Sequence, residues 1–135
     1  MFLNNCLSIP QKLTDFARIF NDKNFKCYLV GGAVRDMIMG IKAHDYDIAT
    51  DAKPEDVMRI FRKVIPTGIA HGTVTVHIFG MELETTTFRT ESDYSDGRHP
   101  DKIEFAATIE EDLSRRDFTM NAIAYDILNK KIVDP

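Results

Sequence analysis

The sequence predicts a small α+β (mixed α/β) domain, because helix-like and strand-like periodicities both occur along it. Between residues 10 and 21, apolar side chains recur every three or four positions, which is typical of an amphipathic helix. Between residues 73 and 78, apolar and polar side chains alternate, which is typical of a half-buried strand. A strand-forming run at 26–30 meets Gly31 and Gly32 and then a helix-like segment at 33–39. A chain of 135 residues buries one ordinary core, so a single domain over residues 1–135 is predicted.

The other elements follow from turn residues, caps and alternation. A strand is predicted at 45–49, and Pro54 begins a helix whose apolar pattern extends to Val64. The alternating strand at 73–78 turns at Gly80 into a second strand, which completes a hairpin. This second strand of the hairpin covers 82–88. The last predicted elements are a mobile polar loop at 89–102, a capped helix at 109–116, and a strand pair at 122–128 and 131–133. This mixture favours a sheet with helices on one face.

Composition narrows the class of protein. No stretch approaches the roughly 20 apolar residues that span a bilayer, and the first ten residues lack a signal-peptide pattern, so a cytoplasmic protein without a membrane partner is predicted. Cys6 and Cys27 form no CxxC pair, which predicts free thiols rather than a zinc site or a disulfide. The formal net charge of −4 argues against a surface that binds nucleic acid all over. Any polyanion is therefore expected to bind locally.

The glycine pair between the first strand and its helix is a candidate phosphate site. Gly31 and Gly32 carry no β-carbon, so backbone N–H groups there can approach an anion closely. Arg35, one helical turn later, can add a charge-assisted fork. The alternative is an ordinary tight turn with a surface ion pair between Arg35 and Asp36.

Three carboxylates are candidate metal ligands or catalytic groups. Asp45 and Asp47 are two residues apart in a predicted strand, so both side chains point to one face and repel unless a cation lies between them. Mg²⁺ held by one or two carboxylates and by substrate phosphates is a common arrangement. Glu84, which shares a strand face with Glu82, is a third candidate. The alternatives are a solvated strand face and an exposed glutamate on an edge strand.

Charged residues near the C-terminal end form a fourth group. Arg116 can reach a triphosphate and Asp117 a ribose hydroxyl, because a guanidinium fork and a short acceptor suit those partners. The alternative is a set of surface ion pairs between arginines and acids at helical spacing, which contribute little.

Together these motifs resemble the class II tRNA nucleotidyltransferase and bacterial poly(A) polymerase family, a branch of the polymerase β-like nucleotidyltransferases. The resemblance covers about residues 26–128, with the motifs in the family's order. The motifs are residues 29–36 with Asp45-x-Asp47, residues 71–74 with 84–89, residues 94–100, and residues 111–122. The resemblance implies a catalytic head with a mixed five-stranded sheet flanked by helices. It also implies a two-metal transfer of CMP or AMP from CTP or ATP to an RNA 3′ hydroxyl.

The resemblance also implies a role for each candidate residue. The implied roles are Mg²⁺ binding for Asp45 and Asp47, a third active-site carboxylate for Glu84, triphosphate binding for Gly31, Gly32 and Arg35, nucleotide contact for Arg116, and support of the sugar and site for Asp117 and Asn121. The family's base-selecting neck and its RNA-binding body and tail are absent from these residues, so base choice stays open. The sequence does not predict an oligomeric state either. The 3′ end of tRNA is the favoured acceptor. The alternatives are poly(A) synthesis, addition of A only or CC only, and a non-catalytic nucleotide-binding module.

Overall fold

A computed structural model describes residues 9–40, 45–91, 103–115 and 123–134. Within these ranges the chain forms a mixed sheet, four α-helices and a separate two-stranded ribbon. The helices are α1 (Gln11–Asp22), α2 (Gly32–Ile38), α3 (Pro54–Ile60) and α4 (Ile109–Ser114). The strands are β1 (Cys27–Val30), β2 (Asp47–Thr50), β3 (Val64–Gly68), β4 (Thr73–Ile78), β5 (Met81–Thr87), β6 (Arg89–Glu91), β7 (Ile103–Phe105), β8 (Ala124–Asp126) and β9 (Lys131–Val133). The predicted α+β class is confirmed.

The main sheet has seven strands among the described residues, in the order β3-β4-β5-β2-β1-β8-β9. Strands β2 and β5 are parallel, and the other neighbours are antiparallel. The sheet is therefore mixed, as expected, but it is wider than the five strands that the resemblance implies. The short edge strands β3 and β9 complete the seven.

Strand β3 begins at Val64, the residue to which the sequence pattern extends the helix that starts at Pro54. Helix α3 ends at Ile60 because Phe61 is extended, with φ −107° and ψ 149°. Val64 then pairs with Val76 of β4 instead of continuing the helix, and the register shifts between Ile65 and Gly68. Pro66 is tolerated here because an edge strand leaves one side of its backbone without a strand partner.

The larger part of the core lies between one sheet face and helices α1 and α3. Leu13, Phe16 and Phe20 of α1 are fully buried there. The Phe16 and Phe61 rings stack with centroids 5.1 Å apart, and the Phe20 ring meets Phe61 edge-on at 5.1 Å. Such aromatic pairs stabilise a core by about 0.5–1.5 kcal/mol beyond the area they bury. None of the helices in the described ranges is long and apolar enough to cross a membrane.

The opposite sheet face is also covered, at one end, by helix α4. Ile109 and Leu113 form a second buried cluster with residues of β1, β2 and β8. The prediction of helices on one face only was therefore wrong. All four residues of β1 are buried, as a strand covered on both faces requires. The signal was present in the sequence as the uninterrupted apolar run from Cys27 to Val30.

Helix α4 begins as the sequence predicts, with Thr108 as its N-cap. The Thr108 hydroxyl accepts a hydrogen bond from the Glu111 N–H at 3.2 Å. The preceding segment differs from the prediction, because residues 89–91 form β6, paired with β7, instead of starting a loop. The rest of the predicted loop, residues 92–102, lies outside the described residues.

A buried carboxylate joins helix α4 to strand β6. Asp112 is 1% exposed, and its Oδ2 accepts a hydrogen bond from the Arg89 N–H at 2.9 Å. Its Oδ1 lies 3.7 Å from Nη2 of Arg115. The interpretation of this segment as surface ion pairs does not apply to Asp112, because a buried charge depends on its partners far more than an exposed one does.

Replacing Asp112 by alanine is expected to reduce the free energy of unfolding by about 3 kcal/mol, because the Arg89 N–H and the Arg115 guanidinium lose a buried partner. Urea unfolding followed by circular dichroism measures the change. Glu110→Gln is the matched control, since Glu110 is exposed on the same helix. A loss below about 1 kcal/mol for Asp112→Ala would show that the carboxylate does not hold the two elements together.

Cys27 is a buried free thiol, as the sequence predicts. Burial, and to a smaller extent the nearby Asp126 carboxylate, raise the pKa of this thiol far above its ordinary value. Cys27 is therefore protonated at neutral pH and acts as a small apolar side chain. Cys6 lies outside the described residues.

Candidate nucleotide site

The turn between β1 and α2 has the form that the glycine pair predicts. Gly31 has φ +76° and ψ −152°, a conformation that is essentially restricted to glycine. Its carbonyl oxygen accepts a hydrogen bond from the Val34 N–H at 3.2 Å, which begins the helix. Gly32 is the first residue of α2.

Gly31 also allows the turn to approach the carboxylate of Asp47. A β-carbon built on Gly31 would lie 3.3 Å from Oδ2 of Asp47. The approach follows from strand pairing, because Val30, the residue before Gly31, is the register partner of Asp47. Only a residue without a side chain fits this space without moving the carboxylate.

Gly32 likewise allows the side chain of Arg35 to lie close to the turn. A β-carbon on Gly32 would lie 3.3 Å from Nη2 of Arg35, so the guanidinium folds back over the glycine turn. Nε of Arg35 is 3.4 Å from Oδ1 of Asp36, and the Arg35 side chain is 40% exposed. The ion pair that was the alternative for Arg35 and Asp36 is present, and it leaves Nη2 directed over Gly32. The turn thus has a guanidinium on one side and a carboxylate on the other.

Two predicted carboxylates lie on neighbouring strands of the sheet. Asp47 of β2 is the register partner of Glu84 of the parallel strand β5, so both side chains leave the same face. Both residues are exposed, whereas the alternating Ile48 and Leu83 are buried on the opposite face. Like charges in neighbouring register positions repel each other, so this face favours a bound cation.

Asp45 lies two residues before strand β2, which begins at Asp47 instead of Asp45. The residue is exposed. Tyr46, between the two aspartates, packs partly against the same core cluster as Ile48. The strand alternation therefore extends back to Tyr46, as the sequence predicts, and this favours a common side for Asp45 and Asp47.

The described residues bring no group of three or more His, Cys, Asp or Glu side chains together in a form that could hold a metal ion. The acidic pair of Asp47 and Glu84 nevertheless has donor chemistry that fits Mg²⁺, which prefers oxygen ligands. Magnesium sites also use only one or two protein carboxylates when substrate phosphates complete the shell. The donor set therefore fits a metal that binds together with a triphosphate.

Three of the candidate residues cannot be placed. Arg116, Asp117 and Asn121 lie outside the described residues, so their roles remain predictions. Sequence reasoning, in turn, missed two features of this region. Asp112 lies within the motif at 111–122 without a local signal of its own, and four threonines on strands β3, β4 and β5 are the second feature. Their signal was the pair of threonines at alternate positions of β4, Thr73 and Thr75, followed by the run of three threonines at 85–87 in β5.

A cavity of about 370 Å³ lies away from the glycine turn. It adjoins Cys27 and Tyr28 at the start of β1, whereas the turn follows the end of that strand. Burial, followed by nearby carboxylates of which Asp126 is the first, raises the pKa of Tyr28 to about 12. The cavity therefore lies at the opposite end of β1 from the glycine turn, and its lining does not include the acidic pair.

A mixed sheet with a glycine turn beside acidic strand positions is the architecture of a nucleotidyltransferase head, and comparisons with known proteins agree with this class. Residues 27–135 match the family model described as the Poly A polymerase head domain. The chain therefore belongs to that family, as the sequence motifs predict.

The chain is similar to individual proteins that are named as CCA-adding enzymes or tRNA nucleotidyltransferases. The chain is 52% identical over 132 residues to a CCA-adding enzyme of Ligilactobacillus salivarius, covering 98% of the chain and 33% of that protein. A crystal structure of the Bacillus stearothermophilus CCA-adding enzyme in complex with CTP is 45% identical, with a TM-score of 0.81, covering 93% of the chain and 29% of that structure. A tRNA nucleotidyltransferase complexed with a primer tRNA and an incoming ATP analog is 30% identical, with a TM-score of 0.66, covering 88% and 34%. The chain thus spans about a third of the length of these relatives.

Proposed function

We propose that this chain is the catalytic head of a template-independent RNA nucleotidyltransferase that transfers CMP or AMP from CTP or ATP to the 3′ hydroxyl of tRNA and releases pyrophosphate. The observation that carries the proposal is the closeness of the Gly31 turn to the Asp47 carboxylate, where a β-carbon on Gly31 would lie 3.3 Å from Oδ2, because this closeness joins an anion site to an acidic site. The names of the relatives support the substrates, since they include CTP, an ATP analog and a primer tRNA.

The glycine turn and Arg35 bind the triphosphate in this proposal. Gly31 and Gly32 allow phosphate oxygens to approach the backbone N–H groups. The guanidinium of Arg35, held over Gly32, supplies positive charge and directed N–H donors at the same point. Arg116 contacts the nucleotide, and Asp117 and Asn121 support the sugar and the site.

The acidic residues orient the reacting groups. Asp45 and Asp47 would hold Mg²⁺, and Glu84 would be the third carboxylate of the site. The metal, when bound, supplies charge neutralisation at the phosphates and lowers the pKa of the attacking hydroxyl. Asp47 lies on the strand between the glycine turn and Glu84, and in this proposal it aligns the triphosphate with the acceptor hydroxyl.

Replacing Arg35 by alanine is expected to raise KM for CTP and ATP by about tenfold, with a smaller fall in kcat, because one charge-assisted contact to the triphosphate is lost. Steady-state kinetics at varied nucleotide concentration measures both constants. Arg18→Ala is the control, since Arg18 is an exposed arginine on α1. An unchanged KM for both nucleotides would exclude Arg35 from triphosphate binding.

The proposed reaction is tested with tRNAs that lack one, two or three terminal nucleotides, each incubated with Mg²⁺ and one labelled triphosphate. The 135-residue chain and a form extended to the length of the relatives are assayed in parallel. Addition that restores the CCA end supports the proposal. Long adenylate tails would indicate a poly(A) polymerase, single-base products would indicate an A-only or CC-only enzyme, and nucleotide binding without transfer would indicate a non-catalytic module.

A further inference from the structure

The sheet face that carries Asp47 and Glu84 is covered by α4 toward β1 and is mostly polar toward β4, with Ile65 of β3, the register partner of Thr75, as an exposed apolar residue. Val30, the register partner of Asp47, belongs to the cluster that Ile109 and Leu113 of α4 cover. In the other direction, across β5 and β4, the register partners on this face are polar in the part of the chain that the structure describes. Glu84 pairs with Thr75, and the next position on the same face of β5, Thr86, pairs with Thr73.

Four threonines on this side, Thr67, Thr73, Thr75 and Thr86, form two hydroxyl pairs, and we call them the threonine face. The hydroxyls of Thr73 and Thr86 are 2.8 Å apart, and those of Thr67 and Thr75 are also 2.8 Å apart. The register shift in β3 between Ile65 and Gly68 accompanies the second pair, in which Thr67 of the edge strand reaches Thr75. Pairing across strands fixes the direction of these side chains.

Each hydroxyl pair keeps both kinds of hydrogen-bonding capacity, and the residues that offer it to solvent are Thr67, Thr73 and Thr86, because Thr75 is buried, with 8% exposed. A hydroxyl has one hydrogen and two lone pairs, so a pair that shares one hydrogen retains a second hydrogen and several lone pairs. A ribose 2′-hydroxyl is likewise both a donor and an acceptor, and it is the group by which proteins distinguish RNA from DNA. The threonine face therefore matches a sugar hydroxyl in hydrogen-bonding chemistry.

Charge favours a sugar over a phosphate at this surface. Glu82 and Glu84 are exposed on the same face of β5 as Thr86, and their carboxylates repel phosphate oxygens. Ribose hydroxyls are neutral and carry no such penalty. The surface is thus suited to the sugar edge of a strand whose phosphates point away from β5.

Position connects this surface to the candidate reaction centre. Thr86 is two residues beyond Glu84 on one strand, about 7 Å away at the usual rise per residue. The Gly31 turn, which is the proposed triphosphate site, lies beside Asp47. Helix α4 covers this face of the sheet toward β8. Toward β5, β4 and β3, the second buried cluster contributes no β3 or β4 residue among the described residues, although the Phe105 ring of β7 would lie 3.1 Å from a β-carbon on Gly72, beside Thr73.

We propose that the threonine face binds the ribose 2′-hydroxyls of the last nucleotides of the acceptor RNA and makes the head selective for an RNA 3′ end over a DNA 3′ end. The inference rests on the proposed function and adds to it a surface for the acceptor strand. The surface is continuous with the acidic pair through the register row of Thr75, Glu84 and Asp47.

The test compares two hairpin acceptors with single-stranded 3′ ends, one entirely RNA and one with 2′-deoxy sugars at its last two nucleotides. The wild-type protein, in both the 135-residue form and the extended form, is compared with the double variant Thr73→Val and Thr86→Val, which removes one hydroxyl pair at nearly constant shape. Fluorescence anisotropy gives Kd for each acceptor, and transfer assays give KM for each acceptor and each nucleotide. Thr14→Val on α1 is the control, and thermal unfolding reports whether each variant folds.

The wild-type protein is expected to prefer the RNA acceptor by about tenfold, the value of one or two hydrogen bonds. The double variant is expected to lose that preference, with KM for the nucleotide unchanged. Full preference in a folded double variant, or none in the wild-type protein, would overturn the inference while transfer to RNA still supported the proposed function. An RNA acceptor that is neither bound nor extended would overturn both.

Discussion

Replacement of Asp47 by asparagine is expected to reduce nucleotidyl transfer by at least about a thousandfold, equivalent to about 4 kcal/mol of transition-state stabilisation. The amide keeps the shape of the side chain and removes the charge that the proposal uses to bind Mg²⁺ beside the glycine turn. Because Asp47 is exposed, the free energy of unfolding is expected to change by less than about 1 kcal/mol. Single-turnover transfer and urea unfolding measure the two quantities separately.

A second measurement separates metal binding from other effects of the Asp47 change. Mg²⁺ with CTP is expected to raise the Tm of the wild-type protein, because a ligand that binds only the folded state stabilises it, and to raise it much less for Asp47→Asn. Asp22→Asn, at an exposed position on α1, is the matched control and should behave as wild type. A transfer rate within about tenfold of wild type for Asp47→Asn would contradict a metal role.

The sequence predicted best what depends on local chemistry. The strand, glycine turn and helix at β1 and α2 follow from neighbouring residues, since Gly31 requires a conformation that other residues avoid. The Thr108 cap of α4 is a local hydrogen bond of the same kind. These elements were predicted to within one or two residues at most boundaries, because no distant contact had to be known.

The errors arose where pairing between distant segments decided the outcome. Val64 satisfies a helical pattern, yet it forms a strand because β4 offers it a partner at Val76. Residues 89–91 look like loop because they are polar, yet they pair with β7. Helix α4 packs on the opposite face of the sheet from α1 and α3, because the apolar side chains of β1 point to both faces of the sheet. Tertiary contacts override local propensity in each case.

In the candidate site, too, the sequence predicted the local motifs but not the pairing that brings them together. The aspartate motif and the glycine pair could be read from short segments of sequence. Their approach depends on the pairing of Val30 with Asp47, and the position of Glu84 depends on a parallel pairing between strands that are 37 residues apart at these positions. No local pattern specifies that register. The threonine face was missed for this reason, since its hydroxyl pairs exist only when β3, β4 and β5 lie side by side.

Replacement of Gly31 by alanine is expected to lower both stability and transfer, because two separate constraints meet at this residue. The backbone conformation alone costs alanine about 1–3 kcal/mol in the free energy of unfolding. The added β-carbon would also lie 3.3 Å from Oδ2 of Asp47, so the carboxylate that the proposal assigns to Mg²⁺ has to shift by a few tenths of an ångström. Transfer is therefore expected to fall by about a hundredfold at temperatures where the variant is fully folded.

Gly80→Ala separates the two constraints. Gly80 has the same φ of +76°, but a β-carbon there meets no atom within 4 Å, and the residue lies at the hairpin between β4 and β5. Alanine at Gly80 is therefore expected to lower stability through its backbone alone and to leave transfer by the folded protein unchanged. Unfolding free energies and single-turnover rates for the two variants give the comparison. If both variants lose the same stability and neither loses activity, the close approach of Gly31 to Asp47 has no part in the reaction, because strain alone would then account for the glycine.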